Sequence, residues 1–213
     1  MKTTPQLVSF AFVIAISALS TALIRAGETG LTEQNGRARL QAARDEVSNL
    51  RSNIFLSLVA MDQVRGEREP AGEHFQAFTN QLGRMEILAR AMGKRIDEME
   101  KRGDAYFVDW EATTAGIQNQ DARQRAEQKY AQRKESYDAI RKFMQEAKTA
   151  FLPFVNKLTS IKQLLEGTRD EKSIAAAKDL FMQANWHCID VQRSLMQTEE
   201  ELDKLAASFA KEG

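Results

Sequence analysis

The stretch TRDEKSIAAAKDLFMQANWHCIDVQRSLMQTEEELDKLAASF, Thr168 to Phe209, decides the fold. Ile174, Phe181, Cys188, Leu195, Leu202 and Phe209 recur at intervals of seven. Ala177, Ala184, Val191, Thr198 and Leu205 follow each of the first five by three. Alternating steps of three and four place all of them on one side of a helix, the a/d pattern of a helix buried along a narrow stripe. At its start, Thr168 and Glu171 have capping-box spacing, and Asp170 and Glu171 suit the positive end of the helix dipole.

Three further segments carry the same pattern. A first helix is expected from about Leu31 to Arg65, with Leu40, Val47, Ile54 and Met61 on one seam position and Ala43, Leu50, Ser57 and Val64 on the other. Gly66 to Gly72, with Pro70 between, ends it. A second begins near Glu73. Phe75, Leu82, Ala89 and Ile96 alternate with Phe78, Met85, Met92 and Met99, and the phase continues through Tyr106, Trp110, Thr113 and Ile117. Gly103 lies inside it and is expected to weaken the helix by about 1 kcal/mol relative to Ala. Gly116 and Asn119-Gln120-Asp121 mark its end.

The third runs from about Asp121, with Tyr130, Tyr137, Met144, Phe151, Leu158 and Leu165 against Ile140, Ala147, Phe154 and Ile161. The phase survives Pro153, which predicts one helix kinked there, two shorter helices being the alternative. None of the four stripes can be buried by its own helix. With short connectors, the expected architecture is all-α: a long antiparallel up-down-up-down four-helix bundle with coiled-coil packing. The alternative is an extended hairpin completed by a second copy.

The beginning of the chain reads differently. Leu7 to Ile24, LVSFAFVIAISALSTALI, has no charged side chain and follows Lys2. This is a secretory signal, with cleavage expected after Ala22 or Ala26. An uncleaved inner-membrane anchor is the alternative, because the run just reaches spanning length. The expected organisation is a signal over 1–26, a flexible spacer over 27–36 and a helical domain over 37–213. The expected location is the periplasm.

Charge narrows the function classes. The chain has 213 residues with 30 basic and 30 acidic side chains. Removing Lys2 and Arg25 with the signal leaves 28 basic against 30 acidic. No long-range field draws in a polyanion, so no nucleic-acid partner is expected. The only cysteine, Cys188, sits on a seam and reads as a small buried apolar residue. Intermolecular pairing or a reactive thiol is the alternative.

Site chemistry is sparse. The histidines are His74 and His187, with Ala71 and Ala184 three residues before them. The Glu-x-x-His pairs of a di-iron bundle are therefore missing. His187 and Cys188 are adjacent on a helix and diverge by about 100°. No Cys-x-x-Cys-His, Gly-x-Ser-x-Gly or phosphate-binding glycine loop occurs. Glu199-Glu200-Glu201 reads as a solvated face. No catalytic, metal or cofactor-binding residue is assigned, and no enzyme activity is expected. Met85, Met92 and Met99 read as core filler or as an adaptable partner groove. Trp110 and Trp186 read as buried anchors, or as exposed interface anchors.

Asp109-Trp110-Glu111, a polar break, then Tyr137, Met144, Ala147, Pro153, Lys162 and Leu165, with a last helix from near Ile174, resemble the bacterial domain-of-unknown-function family 2959. The resemblance covers about residues 40–210 and is most specific from Tyr137 to Leu165. Family members typically carry Lys-His-Asn-Leu-Asn-Ala after the proline. This chain has Lys162-Gln163-Leu164-Leu165-Glu166-Gly167, without the histidine or either asparagine, as a divergent member. The family has no established activity. Some relatives are labelled repair ATPase-like, and no nucleotide-binding loop in this sequence answers to that. The resemblance implies an exported helical coiled-coil protein.

Composition and resemblance together predict a non-catalytic helical protein of the cell envelope, acting on an unknown protein partner or by self-association. It would touch the membrane only through an uncleaved N-terminal segment. The alternative is a ligand-binding or stress-sensing bundle whose internal pocket is lined by Tyr106, Trp110 and methionines.

Overall fold

A computed structural model describes residues 32–66, 72–167 and 170–210. The signal segment, the connector between the first two helices and Thr168 lie outside the described residues. The elements are α1 (Thr32–Gly66), α2 (Gly72–Ala115), α3 (Gln120–Leu165), α4 (Glu171–Ala176) and α5 (Lys178–Ala210). All described elements are α-helices, packed against each other. Helix α1 begins at Thr32, so residues 32–36 of the expected spacer are helical.

The seams are where the sequence places them. Leu40, Val47, Ile54 and Met61 of α1 are buried, as are Phe181, Ala184, Cys188, Val191, Leu195 and Leu202 of α5. The polar seam residue Ser57 is fully buried, and its hydroxyl donates to the Ile54 carbonyl at 2.6 Å. That bond satisfies the one group that would otherwise penalise its burial. Met85, Met92 and Met99 are buried core side chains.

Two elements differ from expectation. The last helix is divided at Ala177 into α4 and α5. Ala177 keeps a right-handed conformation, and its N–H is shared between the Ser173 and Ile174 carbonyls at 3.1 and 3.2 Å. Such sharing is usual at a helix end. The cap of α4 is Asp170 rather than Thr168: its carboxylate accepts the Ser173 N–H at 2.8 Å. That bond also lowers the Asp170 pKa. Pro153, by contrast, lies within the unbroken α3, so it does not end that helix.

The α2–α3 corner is built from local polar groups. Asn119 caps α3, its side-chain oxygen accepting the Ala122 N–H at 2.9 Å. Arg123 reaches back and donates to the Ile117 carbonyl from two guanidinium nitrogens, at 2.9 and 2.6 Å. Both interactions satisfy groups that helix ends leave open.

The chain forms two compact units. Of the described residues, the first holds 32–47, 94–143 and 197–210, and the second 48–66, 72–93, 144–167 and 170–196. The first draws on four helices and the second on all five. In the first unit α2 and α3 run antiparallel, since Glu100 meets Arg141 while Glu111 meets Tyr130.

Candidate functional site

In the first unit, the aromatic residues are gathered inside. Tyr106, Phe107 and Tyr137 are buried, with Trp110 and Tyr130 half-buried against them. Phe107 lies 5.1 Å from Tyr106, 5.2 Å from Tyr137 and 5.5 Å from Tyr130, ring centre to ring centre. The Tyr106 and Tyr130 rings meet it edge-on, the arrangement ring quadrupoles favour. Arg133, itself buried, sits 5.2 Å over Trp110 as a cation–π pair. Burial pushes the Tyr106 hydroxyl up to about 12.

Gly103 makes this packing possible. A Cβ there would overlap the ring of Tyr137. Without it the ring lies on the backbone of α2, and its hydroxyl donates to the Glu100 carbonyl at 3.2 Å. The rim is charged. Arg141 meets Glu100 at 3.0 Å and Asp104 at 3.4 Å, and Tyr130 donates to Glu111. That bond to a carboxylate raises Tyr130 to about 12. Tyr106 and Trp110, expected to line an internal pocket, meet edge-on with ring centres 5.4 Å apart.

Here the seam also moves. Thr113 is exposed, whereas Phe107 and Thr114 are buried. A straight helix drifts by about 20° per heptad, so the buried stripe steps from 103 to 107, 110 and 114. Strict heptad counting therefore passes over Phe107. A step of four on either side of Gly103 would have found it.

The second unit inverts the pattern. Its core is aliphatic, methionine and phenylalanine, and large apolar groups also stand outside. Among the described residues, seven of the eleven exposed large apolar side chains lie on two helices of this unit: Phe55, Leu56 and Val59 of α1, with Met182, Trp186, Ile189 and Met196 of α5. Trp186 is 64 % exposed and Phe55 61 %. On α5 the spacing 182, 186, 189, 193, 196 is a second heptad stripe, pointing outward. An open groove joins the two helices, lined by Ser48, Ser52 and Phe55 on one side and Ile189, Gln192 and Met196 on the other. Its floor is tied by Arg51 and Gln192, which exchange hydrogen bonds of 3.2 and 2.9 Å. Trp186 is thus an exposed residue, and Trp110 a half-buried one.

The reactive side chains are dispersed. His74 is exposed on α2 and His187 half-buried on α5. Cys188 is buried, and burial pushes its thiol up to about 12. Among the described residues no group of three or more His, Cys, Asp or Glu side chains is placed to hold a metal. Within the same residues, no helix is long and apolar enough to cross a membrane.

No curated protein and no solved structure matches the chain. One family does, over residues 33–210, which takes in both the aromatic cluster and the apolar face: the chain belongs to the family described as a protein of unknown function, DUF2959.

Proposed function

We propose that this chain is a non-catalytic exported protein that acts through protein contacts in the cell envelope. Its long helices form an antiparallel up-down coiled-coil bundle that presents the contact face. The observation that carries the reading is the apolar face of α1 and α5, on which Trp186 is 64 % exposed. Monomeric proteins rarely leave such residues contiguous, and exposed Trp and Phe are the side chains that dominate interface energies.

Export rests on the uncharged Leu7–Ile24 run behind Lys2. The absence of catalysis is supported by the sequence, which lacks nucleophile and phosphate-loop motifs, and by the thiol of Cys188, which is buried and held protonated.

The test is expression of the whole chain, cell fractionation and intact-mass measurement, followed by capture of partners on wild type and on Trp186→Ala. A periplasmic product lacking 22 or 26 residues that loses its partner in the variant is expected. A full-length cytoplasmic product would overturn the export reading. Capture unaffected by the substitution would overturn the assignment of the face.

A further inference from the structure

The apolar face of the second unit has the size and the shape of half an interface. A large side chain offers roughly 150–250 Å² when fully exposed. At 36–64 % exposure, its seven large residues therefore leave on the order of 600 Å² of apolar surface open. The largest patch on a typical monomer is about 300–600 Å² in total. A stable pairing buries about 800 Å² on each partner, which the face supplies once its polar rim is included.

The pattern also specifies what kind of surface would cover it. The outward stripe of α5 has a heptad repeat and lies beside Phe55, Leu56 and Val59 of α1; such stripes are filled by the knobs of other helices bearing the same repeat.

We propose that this face pairs with the same face of a second copy of the chain, about a two-fold axis close to Ile189. This rests on the protein-contact reading above and names its partner. The face is bulky at one end and hollow at the other. Along α5, Trp186 stands three residues before Ile189 and Gln192 three residues after it. A two-fold axis at Ile189 therefore lays Trp186 of each copy on the Gln192–Arg193 level of the other. There Ser48 and Ser52 leave the groove open. Arg193, exposed and 3.1 Å from Asp190, is placed to cover the incoming indole. Because a two-fold contact uses the same patch twice, one hollow and one ridge suffice. Nearly balanced charge leaves no long-range repulsion between copies.

The test is the mass in solution of the protein purified after expression of the whole chain, by light scattering and sedimentation over a range of concentrations. Ile189→Glu and Phe55→Lys break the face. Both positions are exposed, so the helix content read by circular dichroism should be unchanged, while the thermal midpoint falls only as far as the lost association requires. Val108→Glu, an exposed site in the first unit, is the control. The expected result is a dimer that both face variants weaken at least a hundredfold and the control leaves intact. A single-chain mass at every concentration overturns the proposal. So does a dimer that survives both face variants, as association through the apolar N-terminal segment would. A monomer that still captures another protein through Trp186 overturns self-pairing alone and leaves the protein-contact reading standing.

Discussion

The two units of this molecule both bury aromatic rings and differ in what they leave outside. In the first, Tyr106, Phe107 and Tyr137 are turned inward, and Arg141, Glu100 and Asp104 close the rim. In the second, Trp186 and Phe55 are turned outward beside a core that is already complete. The same heptad pattern underlies both. What differs is the opposite side of the helix, which is charged in one unit and apolar in the other. The inward stripe accounts for folding. The outward one is left over after folding is satisfied, and so it is the part that points to function.

The sharpest way to break this contrast is to remove one aromatic from each unit. Phe107→Ala should cost about 3–5 kcal/mol, the range for deleting a buried aromatic. Trp186→Ala, compared at a concentration low enough for the chains to be unpaired, should stay within about 0.5 kcal/mol, as for an ordinary surface site. Urea unfolding of both variants decides it, and equal losses would mean that the outward face is part of the core.

Next comes Gly103→Ala. Helix propensity alone predicts a gain of about 1 kcal/mol. The overlap with Tyr137 predicts instead a loss of about 1–3 kcal/mol by overpacking. The sign of the change in urea midpoint separates the two. Adding Tyr137→Leu should recover part of the loss, since contacting sites are not additive.

Asn119→Ala should cost about 1 kcal/mol through the lost cap on α3. A destabilisation near zero would show that water replaces the cap.

The last expectation is an absence of effect over the working range. Cys188 has an ordinary pKa of 9.0 and sits near 12 when folded. Tyr106 likewise moves from 10.0 to about 12. Below about pH 8 both states hold these protons, and stability does not depend on them. Above it the unfolded chain loses protons that the native one keeps, so stability falls as pH rises toward 12. Thiol reagents at mild alkaline pH should modify Cys188 only after denaturant is added. Fast modification of native protein would show that the thiol is accessible.

Much of this was legible in the sequence because a heptad repeat is a direct image of burial. Leu40 to Val64 and Phe181 to Leu205 were placed correctly, including the polar Ser57 and Thr198. Pro153 within a continuing phase correctly implied that α3 would not end there. The capping residue was misassigned because Thr168, Asp170 and Glu171 all have suitable side chains and only the backbone chooses among them. Phe107 was missed because heptad counting assumes the stripe does not drift. The outward face was missed for another reason. Met182, Trp186, Ile189 and Met196 are legible as a stripe, but one helix read alone does not reveal which of two apolar stripes is covered. The role of Gly103 was also hidden, since sequence shows what a glycine lacks and not what fills the space.

Gly103 has one more consequence. A seven-residue repeat is nearly blind to its own position: sliding one helix past its neighbour by seven residues would again set apolar against apolar. The notch removes that ambiguity. Shifted one repeat along α2, the ring of Tyr137 would face Ile96 or Trp110, both on the same seam and both too large to admit it. Only one alignment of α2 and α3 lets the ring reach the backbone and its hydroxyl reach Glu100. A residue that costs helix stability thereby fixes the register of two helices whose hydrophobic pattern alone would leave it open.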